Sequence, residues 1–121
     1  TDINFKFGAL KCYKNIGSVY TLMANYNKAL SYYNNSLKIA EEINDKAEIA
    51  NCYGNIGNIY YYISDYTKAL VFYEKQLKIV EETKNTAGLA RCYNNIGSLY
   101  TYLNNYLWLF SNTPSPAQLK I

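Results

Sequence analysis

Three asparagines, Asn15, Asn55 and Asn95, stand 40 residues apart, each inside nearly the same word: CYKNIG at 12–17, CYGNIG at 52–57 and CYNNIG at 92–97. A side-chain amide carries one acceptor and two donors, so it can bond both the C=O and the N–H of an extended peptide with little regard for its side chains. Cys12, Cys52 and Cys92 recur at the same interval. Packed helices lie about 8–10 Å apart, and a disulfide needs Cα atoms within about 7 Å. Cysteines at one repeat position therefore read as small buried thiols. Their uneven count fits a reducing compartment, the cytoplasm.

Other chemistry is missing. The chain has no histidine, which removes Ser-His and Cys-His pairs and the usual zinc sites. The glycines stand singly, with no phosphate loop. The carboxylate pairs Glu41-Glu42 and Glu81-Glu82 are adjacent residues, which do not share a helix face. No metal, cofactor or small-molecule substrate is expected, and no catalysis. Twelve basic residues against nine acidic give a net charge of +3. That is short of the dense clusters that announce a nucleic-acid or membrane patch. The longest apolar runs, such as 59–63, are too short to span a bilayer.

The elements that must position these residues follow from the period. Residues 8–47 and 48–87 align without a gap at about 17 identities in 40. A third unit begins at residue 88 and stops near 110. Within residues 47–63 the large side chains Ile49, Tyr53, Ile56, Tyr60 and Ile63 follow steps of 3 and 4, one stripe of a helix A. Tyr66, Ala69, Leu70, Tyr73, Leu77 and Val80 form the stripe of a helix B. Asp65 is placed to cap helix B, with Asn25 and Asn105 at the same place in the other units. Joins this short force antiparallel neighbours. A glycine inside a helix costs about 0.5–1 kcal/mol relative to alanine. Gly17, Gly57 and Gly97 therefore imply a helix that approaches closely, through Ala29 and Ala69.

Unit three departs from the pattern after Tyr106, where Leu107-Trp108-Leu109-Phe110 precedes Pro114 and Pro116. Its helix B is expected to be a stub. The apolar run either folds back as a cap or marks the cut end of a longer array, and residues 111–121 are expected to be irregular.

Helix A has a second face, again at steps of 3 and 4. It carries Asn51, Gly54, Asn55, Asn58, Tyr61 and Tyr62 in unit two. Unit one has Lys11, Lys14, Asn15, Ser18, Thr21 and Leu22 there, and unit three has Arg91, Asn94, Asn95, Ser98, Thr101 and Tyr102. Three of these eighteen positions are basic and none is acidic.

The pattern Tyr53…Ile56-Gly57…Tyr60…Tyr66…Ala69…Tyr73 resembles the tetratricopeptide repeat. The 40-residue unit is similar to the long-helix variant of kinesin light chains and G-protein-signalling modulators, over roughly residues 8–106. The resemblance implies an all-α fold, a right-handed superhelical stack of antiparallel helix pairs with about two and a half repeats. It also implies that helices A line a concave groove for partner peptides or helices. Asn15, Asn55 and Asn95 would form a ladder there, although descent from one duplicated unit also suffices to repeat them. Lys11, Lys14 and Arg91 would favour an acidic segment. Lys14, Asn55 and Arg91 match the modules that clamp a chain-terminal carboxylate, while Ser18 and Asn95 do not, which argues against a full clamp. Leu22, Tyr61, Tyr62 and Tyr102 could hold apolar side chains, and Tyr62 could equally pack on the neighbouring unit. The function expected is a protein-interaction module of a scaffold or adaptor. The alternative is a regulatory sensor segment of a larger signalling enzyme. Nucleic acid and membrane are not expected partners. Self-association through the incomplete third unit is a further expectation.

Overall fold

The computed structural model describes residues 2–112, with the side chains of 108–110 left aside. Five helices follow one another: α1 Asp2–Leu22, α2 Tyr26–Glu42, α3 Lys46–Tyr62, α4 Tyr66–Glu82 and α5 Thr86–Asn112. Each packs on the next in sequence. The result is an all-α solenoid in which α1 and α2 form the first pair and α3 and α4 the second.

The ends of these helices are set locally. The side chains of Asn25, Asp45 and Asp65 accept from the backbone N–H of Lys28, Glu48 and Lys68, satisfying one otherwise unpaired donor each. Asn85 caps α5 in the same way by accepting from Gly88 N–H at 3.0 Å. Every turn contains one left-handed residue: Ala24, Asn44, Ser64 and Lys84, with φ between 53° and 66°. A side chain in that conformation costs roughly 1–2 kcal/mol. Ser64→Gly is therefore expected to stabilise the fold by about 1 kcal/mol, read as a higher urea midpoint with an unchanged slope.

The core lies between the pairs. Ala29, Tyr33, Ile56 and Ile59 form one buried cluster, and Ala69, Tyr73 and Leu99 form the next. Gly17 and Gly57 explain the close contact, with two corrections: Gly97, expected to mark a third, would meet nothing within 4 Å of an added Cβ, and the partner at the other two is not the alanine. A Cβ on Gly17 would lie 2.7 Å from the Tyr33 ring, and one on Gly57 would lie 2.7 Å from the Tyr73 ring. The tyrosine ring of helix B fills the notch. Ala69 contributes only its carbonyl, 3.4 Å from the same point on Gly57. Tyr20 stacks on Tyr32, and Tyr60 stacks on Phe72 in the same geometry, each pair at 5.5 Å and 14°.

A further expectation is corrected. Cys52 and Cys92 are buried, but Cys12 is exposed, and all three are free thiols. Cys52 donates to Ser36 Oγ of the preceding helix α2 at 3.7 Å. Among the described residues no helix precedes α1 to cover Cys12 in that way. Burial pushes both Cys52 and Cys92 above the usual thiol range, which keeps them protonated and inert. The carboxylates at the ends of α2 and α4 are partly engaged. Glu42 lies 3.6 Å from Lys6 and Glu82 lies 3.9 Å from Lys46, exposed pairs that add little stability.

Unit three contains no turn at 104–105. One helix, α5, runs through Asn105 and the 107–110 segment to Asn112. Asn105 is therefore not a cap, and residues 107–110 do not fold back. Asn104 would tolerate the left-handed turn better than Ala24 or Ser64 do. The difference lies downstream. Ala29, Leu30 and Tyr33 bury themselves after the first turn, as do Ala69, Leu70 and Tyr73 after the second. After Tyr106 the sequence departs from the Lys-Ala-Leu pattern of the first two units, and the helix runs on to Asn112. Ser111 and Asn112, expected to be irregular, end α5, and residues 113–121 lie outside the described residues.

Candidate functional site

Helices α1, α3 and α5 present their second stripes along one side of the stack. The central feature is a polar cavity of about 280 Å³ lined by Lys14, Asn51, Gly54, Asn55, Asn58, Gln76, Arg91 and Asn95. Seven of these eight residues lie on the stripe, and six of them, Lys14, Asn51, Asn55, Asn58, Arg91 and Asn95, were expected to bind; Gln76 alone lies off it. Lys14, Asn55 and Arg91 line the same space.

Depressions continue from it in both directions. Ser18, Leu22 and Tyr62 line a neighbouring one of about 260 Å³ that shares Asn55 and Asn58. Tyr61 and Tyr62 line another of about 190 Å³ that shares Asn58 and Asn95. Asn94 and Tyr102 fall in the largest, about 510 Å³, beside the uncovered face of α5 at Gly97. Asn15 and Lys11 are exposed on α1 outside these depressions, and the Lys11 ammonium sits 5.2 Å over the Phe7 ring.

The charges differ from the stripe alone. Lys14 donates to Glu48 Oε2 at 2.8 Å, and the two side chains retain only 21% and 11% of their exposure. Glu48 lies in the first turn of α3, off the stripe, and reaches across to α1. The Lys14 charge is thus balanced inside the protein. Arg91 forms no ion pair among the described residues and carries the unbalanced charge of the cavity.

Some stripe residues also have internal partners. The Tyr73 hydroxyl donates to Asn58 Oδ1 at 2.6 Å, and burial pushes that phenol well above its usual range. Ser18 Oγ lies 3.2 Å from the Tyr33 hydroxyl, the equivalent contact one repeat earlier. Asn58 therefore offers mainly its amide N–H groups to a ligand. The tyrosines join a chain of rings across the repeats. Tyr62 meets Tyr26 at 5.8 Å, Tyr61 meets Tyr62 at 6.1 Å and Tyr66 at 5.7 Å, and Tyr66 meets Tyr102 at 4.7 Å. Tyr62 packs on the neighbouring unit, yet half of it stays exposed at the rim.

Gln76 was missed by the stripe because it belongs to helix B. It takes the place of Ser36, whose hydroxyl donates to Leu10 O at 3.1 Å. The longer Gln76 side chain reaches over Gly54, where a Cβ would lie 2.6 Å from its Nε2. The glycine at 54, against Lys14 and Asn94 at the same repeat position, was the available signal. Gln76 retains 6% exposure, and its Oε1 is buried without a hydrogen-bond partner. An unsatisfied buried acceptor costs about 1–3 kcal/mol. Gln76→Met, of similar volume, is expected to raise stability by about 1 kcal/mol in urea titrations.

Among the described residues, no group of three or more His, Cys, Asp or Glu is placed to hold a metal ion. No described helix is long and apolar enough to cross a membrane. No curated protein matches the chain at a significant level. The family model described as tetratricopeptide repeat matches residues 9–82 and 48–107. These matches run from residue 9 in α1 through α2, α3 and α4 and over most of α5. The glycine notches filled by Tyr33 and Tyr73 recur at the chain's own interval of 40 residues. The chain accordingly belongs to the tetratricopeptide repeat family, whose repeats generally mediate protein–protein interaction.

Proposed function

We propose that the groove along α1, α3 and α5 binds an extended segment of a partner protein, acidic in character, and that the chain acts as an adaptor or scaffold module. The observation that carries this reading is the convergence of Asn51, Asn55, Asn58 and Asn95 with Arg91 on one open cavity. Amides satisfy the backbone of a peptide that has no partner strand, and so support binding of an extended chain. Arg91 adds a charged donor for a carboxylate of that segment. The tyrosines at the rim, Tyr61 and Tyr62, offer rigid apolar surface beside it. Asn15 and Lys11 extend the same stripe along α1.

The experiment uses acidic peptides selected from a random library, titrated by calorimetry. Asn55→Ala is expected to weaken them by about 1 kcal/mol, roughly fivefold, with circular dichroism unchanged. Equal affinity in the two proteins would remove the amide ladder from the account.

A further inference from the structure

Two successive interfaces between repeats are built from the same positions with different residues. Between α1 and α3, Lys14 and Glu48 close the space with their ion pair. One repeat later the same positions hold Gly54 and Gly88. A second cavity of about 280 Å³ lies there, with apolar walls at Ala50, Ile79 and Val80, with Thr83 and Asn85 at one end, and with Asn51, Gln76 and Arg91 on the side toward the groove. Asn51, Gln76 and Arg91 also line the groove cavity, so the two spaces meet at these three residues. In place of the ion pair, Gln76 covers Gly54 and Val80 covers Gly88, and a side pocket of the groove lies beside them.

The occupant is narrowed by chemistry. Gln76 Oε1 is buried and without a donor. Arg91 brings donors only, and Asn51 brings both kinds of group. A carboxylate could accept from Arg91 but has no hydrogen for Gln76 Oε1. An ammonium could donate to Gln76 but would face the guanidinium, and no carboxylate lines either cavity. A neutral primary carboxamide supplies N–H for Gln76 Oε1 and a carbonyl for Arg91, while the apolar walls suit a short methylene stem. We infer that the pocket between the second and third repeats takes the carboxamide side chain of a glutamine or asparagine in the bound segment. This rests on the reading that the groove holds a partner's chain. It adds a residue-specific contact to a groove whose asparagines read only backbone.

The test needs no peptide, which separates it from the groove reading. The chain is titrated with propionamide, and separately with propionate, under ¹H–¹⁵N correlation spectroscopy. Propionamide is expected to shift the Gln76 side-chain NH₂ and the Gly88 backbone N–H saturably, binding about tenfold more tightly than propionate. Gln76→Met is expected to keep a dispersed spectrum and lose the response. Three results would overturn the inference: no saturable shift with propionamide, which would mean the pocket holds water alone, an equal response to propionate, or a response that survives in Gln76→Met. If only this test fails while Asn55→Ala still weakens the selected peptides, the pocket assignment falls and the groove stands.

Discussion

Gly57→Leu is expected to cost about 3 kcal/mol or more and leave a poorly folded or molten stack. Even a Cβ at this position would sit 2.7 Å from the Tyr73 ring and 3.4 Å from the Ala69 carbonyl. The ring is itself buried and held by its hydroxyl on Asn58, so it has little room to turn aside. Overpacking a tight core contact costs about 1–3 kcal/mol, occasionally more, and leucine adds three further heavy atoms. The chain contains its own control. Gly97 has the same place in unit three, yet a Cβ there would meet nothing within 4 Å. Gly97→Leu is expected to be neutral or to gain up to about 1 kcal/mol, since it removes a mid-helix glycine from an open face. Paired urea titrations of the two variants decide the matter. Equal losses would mean that the glycine acts through its own helix and not through the ring opposite.

Breaking the Lys14–Glu48 pair should have the next largest effect. Both side chains are largely withdrawn from water and lie 2.8 Å apart. Removing one partner strands the other charge in a poorly solvated place, and such losses run to about 3 kcal/mol. Glu48→Ala is expected to lose roughly that much, softened by the access of water to Lys14 from the groove. The double variant Lys14→Met, Glu48→Met should recover to within about 1 kcal/mol of the parent, because an apolar pair fills the same space without a desolvation penalty. Binding gives a second readout. Glu48→Ala frees the Lys14 ammonium toward the groove, so an acidic peptide should bind more tightly, with a steeper dependence on salt. A double variant as unstable as Glu48→Ala would point to a loss of packing and not of charge balance.

The periodic core and the helix caps were legible from the chain alone. Two copies of one stripe agree, and the turn residues Asn25 and Asp65 have one obvious task. What the glycines meet was harder to read. Spacing places Ala29 and Ala69 opposite Gly17 and Gly57, but a long helical side chain leans toward its own N-terminus. The Tyr33 and Tyr73 rings thereby reach the notch first. Local turn chemistry misled at Asn104-Asn105, where a favourable pair stands inside the continuous helix α5. The groove stripe was visible, but its charge balance was not. Glu48 stands off the stripe and reaches it only across the interface between repeats. Gln76 was hidden by being a polar residue on a helix B. Its meaning appears only when Gly54 and Gly88 are seen beside it, where the preceding interface has Lys14 and Glu48.

The groove reading is tested most directly by mapping where a ligand settles. An acidic peptide selected from a random library would be titrated into the ¹⁵N-labelled chain, following the side-chain amide signals together with the backbone. The largest shifts are expected on the side-chain NH₂ groups of Asn55, Asn58 and Asn95 and on Arg91. Shifts centred instead on Gly97 and Tyr100, or on the outer surfaces of α2 and α4, would contradict the groove reading.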